Sequence, residues 1–162
     1  MKTHSLVLYL ALALSPVALG DSPRINDLEG HWKIVEWHHN GVVLTPPQIG
    51  GRLFLNKGTF FFIAFREIEE EREYTDGYGT YSIEGDEYRY GYDRTTDVSV
   101  KGDVQEIWSG PWPESRFIAQ PNGNKLEILD SETRTSGFVL EGDRLTYMEE
   151  SKPLRVYERV RQ

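Results

Sequence analysis

The sequence predicts an all-β fold: a single up-and-down antiparallel β-barrel of about 8–10 strands. Three observations predict it. No stretch after residue 24 keeps a 3.6-residue apolar period over three turns, which a core helix requires. Short segments rich in Val, Ile, Phe and Tyr recur instead. Turn residues that favour tight hairpins separate them, so each segment is set to pair with the next. A closed ring then removes the exposed edges that open sheets must protect. A sandwich with crossovers is the structural alternative.

In chain order the expected strands are residues 31–38, 52–55, 59–65, 78–83, 87–93, 115–120, 125–129, 135–140, 144–149 and 154–160. Asn56-Lys57-Gly58 joins the second to the third, and Glu84-Gly85-Asp86 joins the fourth to the fifth. Asn122-Gly123-Asn124 and Glu141-Gly142-Asp143 play the same part further on. The segment from Ile63 to Tyr74 is dense in Glu and Arg and reads as a short helix or a charged loop. The aromatic stretch Trp108-Ser109-Gly110-Pro111-Trp112-Pro113-Glu114 reads as a rigid loop, because two prolines fix φ.

The chain has 162 residues, enough for one ordinary domain. Lys2 and His4 precede the apolar run from Leu6 to Leu14, and Ala18-Leu19-Gly20 supplies small residues of the kind a signal peptidase reads. The run is too short to span a bilayer core. Residues 1–20 are therefore expected to be a cleavable signal peptide and 21–162 the mature barrel, with no membrane span. Asp21 follows the expected cleavage point, where a lipoprotein would carry Cys. The expected location is secreted or periplasmic. The 26 acidic and 18 basic residues give a net charge of -8, which repels phosphate backbones and argues against nucleic acid. With no Cys the chain has no disulfide framework and no thiolate nucleophile.

The first strand opens Asp27-Leu28-Glu29-Gly30-His31-Trp32-Lys33-Ile34-Val35, and the last reads Leu154-Arg155-Val156-Tyr157-Glu158-Arg159-Val160. Between them lie Gly50-Gly51-Arg52-Leu53, the Gly77–Asp86 stretch with its Gly-Asp turn, and Leu140-Glu141-Gly142-Asp143-Arg144-Leu145. This order resembles the bacterial lipocalin-like domain family of the calycin group, over about residues 27–161. The resemblance implies that Trp32 closes the narrow end of a barrel, that Arg159 lies across its indole, and that Gly30 lets the backbone turn beneath. These are structural roles. It also implies a central cavity for a small hydrophobic ligand and no cofactor.

Strand alternation selects candidates for that cavity. Tyr88, Tyr90 and Tyr92 share one face, and Tyr81 on the preceding strand continues it across the Gly85 turn. Such a row lines a pocket with an apolar wall and polar tips, or forms an exposed cross-strand ladder. The run Phe60-Phe61-Phe62-Ile63-Ala64-Phe65 is apolar on both faces, with Phe61 and Phe65 as the cavity candidates. Its other face needs cover by a loop, a short helix or a second copy, so a homodimer is among the expected partners. Trp108 and Trp112 suit a lid at the mouth, or a plug outside the core. The acidic run from Glu67 to Glu73 reads as a solvated loop that would disfavour anionic ligands if it borders the mouth. His31, His38 and His39 cluster near the first strand, but neighbours on a strand face opposite sides, so no metal is expected.

No Gly-x-Ser-x-Gly elbow, phosphate loop or dinucleotide fingerprint occurs. The leading expectation is a barrel that binds a small, largely apolar, neutral or cationic molecule. A cofactor-independent isomerase or cyclase using the same cavity is the first alternative, and a protein-binding or inhibitory module the second. Whether the protein catalyses a reaction stays open at this point.

Overall fold

A computed structural model describes residues 23–161; the expected signal peptide lies outside the described residues. A single 3-10 turn, Ile25–Leu28, precedes eleven strands. They are β1 (Gly30–His39), β2 (Val42–Leu44), β3 (Ile49–Asn56), β4 (Thr59–Ile68), β5 (Glu71–Glu84) and β6 (Glu87–Lys101). The remainder are β7 (Val104–Asn122), β8 (Lys125–Asp130), β9 (Gly137–Glu141), β10 (Arg144–Glu149) and β11 (Lys152–Arg159). Each strand from β3 to β11 pairs antiparallel with its sequence neighbour, and β11 returns to β1. The result is a closed ten-strand antiparallel barrel with up-and-down connectivity. The eleventh strand, β2, is an accessory. Trp32 pairs with both Arg159 and Leu53, and Trp37 with both Arg155 and Leu44, so β2 and β3 take successive parts of the same edge of β1.

The hairpin chemistry follows two recipes. Asn40-Gly41 and Lys57-Gly58 both carry positive φ at two successive residues, the I′ pattern whose twist matches the flanking strands. Four other turns begin on a glycine with positive φ: Gly85, Gly102, Gly123 and Gly142. The Gly102 turn joins β6 to β7, a hairpin that the sequence reading did not assign.

Two expectations about loops are corrected. The charged stretch between Ile63 and Tyr74 is neither helix nor loop, because β4 and β5 run through it and pair as far as Ile68 with Glu71. Glu67, Glu69, Glu70 and Arg72 are exposed, where strands need no apolar partner, whereas Arg66 is buried at 7% exposure. Residues 108–114 are likewise strand, part of β7. Between 104 and 115 that strand is paired with β6 alone, since β8 joins only at 117–122. A one-sided strand tolerates Pro111 and Pro113, which lack the N–H a central strand would need. β5, β6 and β7 therefore stand as one tall side of the barrel.

The phenylalanine run alternates, but with the opposite phase to the one expected. Phe60, Phe62 and Ala64 are buried, whereas Phe61 and Phe65 are 43% and 42% exposed. Phe61 and Phe65 therefore do not face the cavity. The ring of Phe61 lies 6.2 Å from Phe54, which stacks on His31 at 4.2 Å. Tyr78 faces Phe61 on the next strand and is also exposed, so an aromatic row crosses the outer wall. Among the described residues no helix is long and apolar enough to cross a membrane.

Candidate functional site

The barrel is closed at one end by side chains placed through β1 and β11. Trp32 is fully buried, and its Nε1 donates to the Leu28 carbonyl at 2.9 Å. This bond ties the indole to the 3-10 turn, whose Leu28 enters the barrel. The Arg159 guanidinium lies 4.1 Å from the Trp32 ring centroid. Its Nη1 donates to the Glu29 carbonyl at 2.7 Å, and its Nη2 to the Asp27 carbonyl. Gly30 has φ of +145°, and a Cβ there would stand 2.6 Å from Arg159 Nη1. Trp32, Arg159 and Gly30 thus occupy one compact closure. Tyr81 sits nearby, donating its hydroxyl to Glu29 Oε1 at 2.5 Å.

Above this floor is an inner chamber of about 90 Å³. Tyr88, Tyr90 and Tyr92 from β6 form one wall; Phe60 and Phe62 from β4, Phe138 from β9 and Tyr147 from β10 form much of the rest. The rings contact one another edge-on and stacked. Tyr92 meets Phe60 at 5.0 Å nearly perpendicular, and Tyr90 stacks on Phe117 at 5.1 Å. Gly77 and Gly79 make this possible. A Cβ at Gly77 would stand 2.6 Å from the Phe62 ring, and one at Gly79 only 2.0 Å from the Gly91 carbonyl oxygen.

The chamber opens into a vestibule of about 560 Å³ beneath the tall side of the barrel. Phe62, Tyr90, Tyr92, Tyr147 and Arg155 border both spaces. Trp37, Thr75, Thr95, Trp112 and Leu154 line the vestibule alone, with His39, Glu73, Asp97, Asp130 and Glu149 adding polarity. The volume lies within the range of small-molecule sites.

Of the residues proposed from sequence, Tyr88, Tyr90 and Tyr92 are brought together in the chamber wall. Tyr81 is buried at 8% exposure but belongs to the closed end, 5.7 Å from the Tyr88 ring. Trp112 stands at the vestibule rim, half exposed. Trp108 contacts it at 5.5 Å, pairs with Asp97 on β6 and borders an adjoining groove that shares Glu73 and Asp97 with the vestibule. His38 hydrogen-bonds Glu36 at 3.2 Å, and His39 lies 2.9 Å from Asn40. Sequence reasoning missed Trp37, Arg155 and Arg66. Trp37 is buried, and the guanidiniums of Arg155 and Arg66 lie 4.2 Å and 5.8 Å from its ring centroid. The available signal was the echo of Trp32 with Arg159 in Trp37 with Arg155, on the same two strands.

Burial dominates the chemistry of the phenols. It raises Tyr88, Tyr90 and Tyr92 well above their ordinary pKa of 10.0, and neighbouring phenols push in the same direction. Tyr81 is pushed up to about 12, by burial first and then by its hydrogen bond to Glu29. Burial also raises Tyr147 and Tyr157, while Arg155 pulls Tyr92, Tyr147 and Tyr157 partly back. A phenol whose folded pKa exceeds its unfolded value leaves stability intact below about pH 10 and lowers it as pH rises further, because the unfolded chain ionises first. The expected result is that these tyrosines titrate only in a cooperative alkaline step that coincides with unfolding. Phenolate absorbance followed alongside far-ultraviolet circular dichroism checks this; gradual ionisation in the folded protein would contradict the buried placement.

Compared with known proteins, the chain matches no family model, no curated protein and no solved structure.

Proposed function

We propose that the protein is a lipocalin-like carrier, exported from the cytoplasm, that binds a small, largely apolar molecule in its central cavity. The observation that carries this reading is the aromatic chamber opening on a vestibule of about 560 Å³. Rings and aliphatic side chains line the chamber with phenol hydroxyls as fixed polar points, and the vestibule adds charged and polar groups around Trp37, Trp112 and Leu154. The ring closure by β1 and β11, with Arg159 over Trp32, supports the lipocalin-like kinship.

The isomerase or cyclase reading gains less support. The ionisable groups lining the inner chamber are phenols with raised pKa and the Arg155 guanidinium, both poor at moving protons near neutral pH. The outer row of His31, Phe54, Phe61 and Tyr78 favours protein binding or a homodimer as the second reading.

Titration with the neutral fluorophore N-phenyl-1-naphthylamine tests the cavity. The expected result is saturable binding at micromolar Kd, about -8 kcal/mol. Tyr90→Ala is expected to weaken it at least about tenfold, or 1.4 kcal/mol, while the variant remains folded. Equal binding by the two proteins would move the site away from the tyrosine wall.

A further inference from the structure

The outer wall of the barrel carries an exposed aromatic face whose layout is fixed by strand register. Phe54 pairs with Phe61 and Phe61 with Tyr78, forming one row across β3, β4 and β5. Further along the same strands Gly50 pairs with Phe65 and Phe65 with Tyr74, forming a second. The five aromatics are each 38–50% exposed. At ~200 Å² for a whole aromatic side chain, they leave roughly 400 Å² of ring surface in water on one face. A patch of that size often marks an interaction site.

Between these rows lies a third of different character. Arg52 pairs with Ile63 and Ile63 with Asp76, so a cation and an anion flank the β4 residue at the centre of the face. They are two strands apart, about 10 Å, and do not meet within one copy. Arg52 donates to the neighbouring Gly51 carbonyl at 3.3 Å, and Asp76 stands beside the Tyr74 hydroxyl. Neither makes an ion pair among the described residues.

The pattern is complementary to itself. Two such walls stack face to face about a two-fold axis lying between them. With that axis along β4, the β3 strand of each copy faces β5 of the other. Arg52 then meets Asp76 twice, Phe54 meets Tyr78 twice, and Phe61, Ile63 and Phe65 each meet their own copy. An axis across the strands through the same centre would instead set Arg52 on Arg52 and Asp76 on Asp76, which like charges oppose. Glu67 also falls on the β4 axis, but Arg72 already neutralises it at 3.1 Å. The net charge of -8 disfavours indiscriminate self-association, so an attraction confined to this face gives the pairing its specificity. A barrel wall is convex, so contact is confined to the three central strands and the interface stands at the small end of specific complexes.

We infer that the partner of this wall is a second copy of the chain, joined as a two-fold dimer through β3, β4 and β5 with Arg52 of each copy against Asp76 of the other. This assignment rests on the outer-wall reading given second above and is independent of the cavity.

Sedimentation velocity across the micromolar range tests it. The protein is expected to pass from monomer to dimer with a micromolar Kd. Phe61→Asp, on the axis, is expected to abolish the dimer. Arg52→Glu and Asp76→Arg are each expected to weaken it at least about tenfold, because each sets like charges opposite one another twice. Mixed in equal amounts, these two variants are expected to form a heterodimer close to wild-type strength, since one copy then presents two anions and the other two cations. Recovery on mixing requires that both variants fold, so it decides the matter if Phe61→Asp does not fold. A wild-type protein that stays monomeric would overturn the second copy and leave the wall to a different protein. A dimer that folded Phe61→Asp leaves intact would instead remove the outer wall as an interaction face. Charge variants that dimerise as tightly as wild type, or that fold but gain nothing on mixing, would overturn the two-fold along β4.

Discussion

Replacing Trp32 with alanine is expected to destabilise the protein by about 3–5 kcal/mol, the usual cost of removing a large buried aromatic. The indole is fully buried, anchors the 3-10 turn through the Leu28 carbonyl and supports Arg159 on its face. The loss therefore includes a cavity, an unpartnered carbonyl and a cation–π contact. Arg159→Ala should cost less by itself, because its donors reach partly exposed carbonyls that water can satisfy. The two changes should not add. A coupling of about 0.5–2 kcal/mol is expected from a double-mutant cycle measured by urea unfolding. Zero coupling would reject the contact as an energetic unit even if both single variants are weakened.

Gly79→Ala is expected to cost about 3 kcal/mol or more, against the ordinary trend. In the middle of a strand, alanine is normally better than glycine by roughly 0.5–1 kcal/mol, because glycine loses more backbone freedom on folding. Here the added Cβ would stand 2.0 Å from the Gly91 carbonyl oxygen and 3.0 Å from the Phe60 ring. A backbone oxygen cannot rotate away, so β5 and β6 must separate or the chamber wall must shift. Gly85→Ala is the matched comparison. Nothing stands within 4 Å of its Cβ, but φ is +66°, so only the left-handed strain of about 1–2 kcal/mol applies. Comparing the denaturant midpoints of the two variants checks both assignments. A stabilised Gly79→Ala protein would show that β5 and β6 do not approach this closely.

These two sites also show what the sequence made legible. The closure was readable because Gly30, Trp32 and Arg159 sit in an order that resembles a known barrel, and the observed register places Trp32 opposite Arg159. Tyr88, Tyr90 and Tyr92 were readable from strict alternation between Glu87 and Tyr92, and all three line the chamber. Trp37 and Arg155 were not readable by the same rule. Trp32 and Trp37 are five residues apart, and simple alternation would turn them to opposite faces. The register shift between Ile34 and Glu36 turns both inward, and no residue type announces that bulge. The Phe60–Phe65 run failed for the opposite reason. Every position is apolar, so composition carried no phase, and the inward set was decided by pairing with Gly77 and Gly79 on β5. The strands around Glu67–Glu73 and Trp108–Glu114 were obscured because charge and proline usually mark loops, but both lie where one side of the strand meets solvent.

The central claim is that a small apolar molecule rests against the Tyr88–Tyr90–Tyr92 wall. The most direct measurement is nuclear Overhauser contact between N-phenyl-1-naphthylamine and protein in which only tyrosine rings carry protons. The account predicts contacts from the naphthyl protons to Tyr90 and Tyr92, lost in Tyr90→Phe protein only for the substituted ring. Contacts confined to Tyr74 and Tyr78 on the outer wall, or none to any tyrosine despite saturable binding, would contradict it.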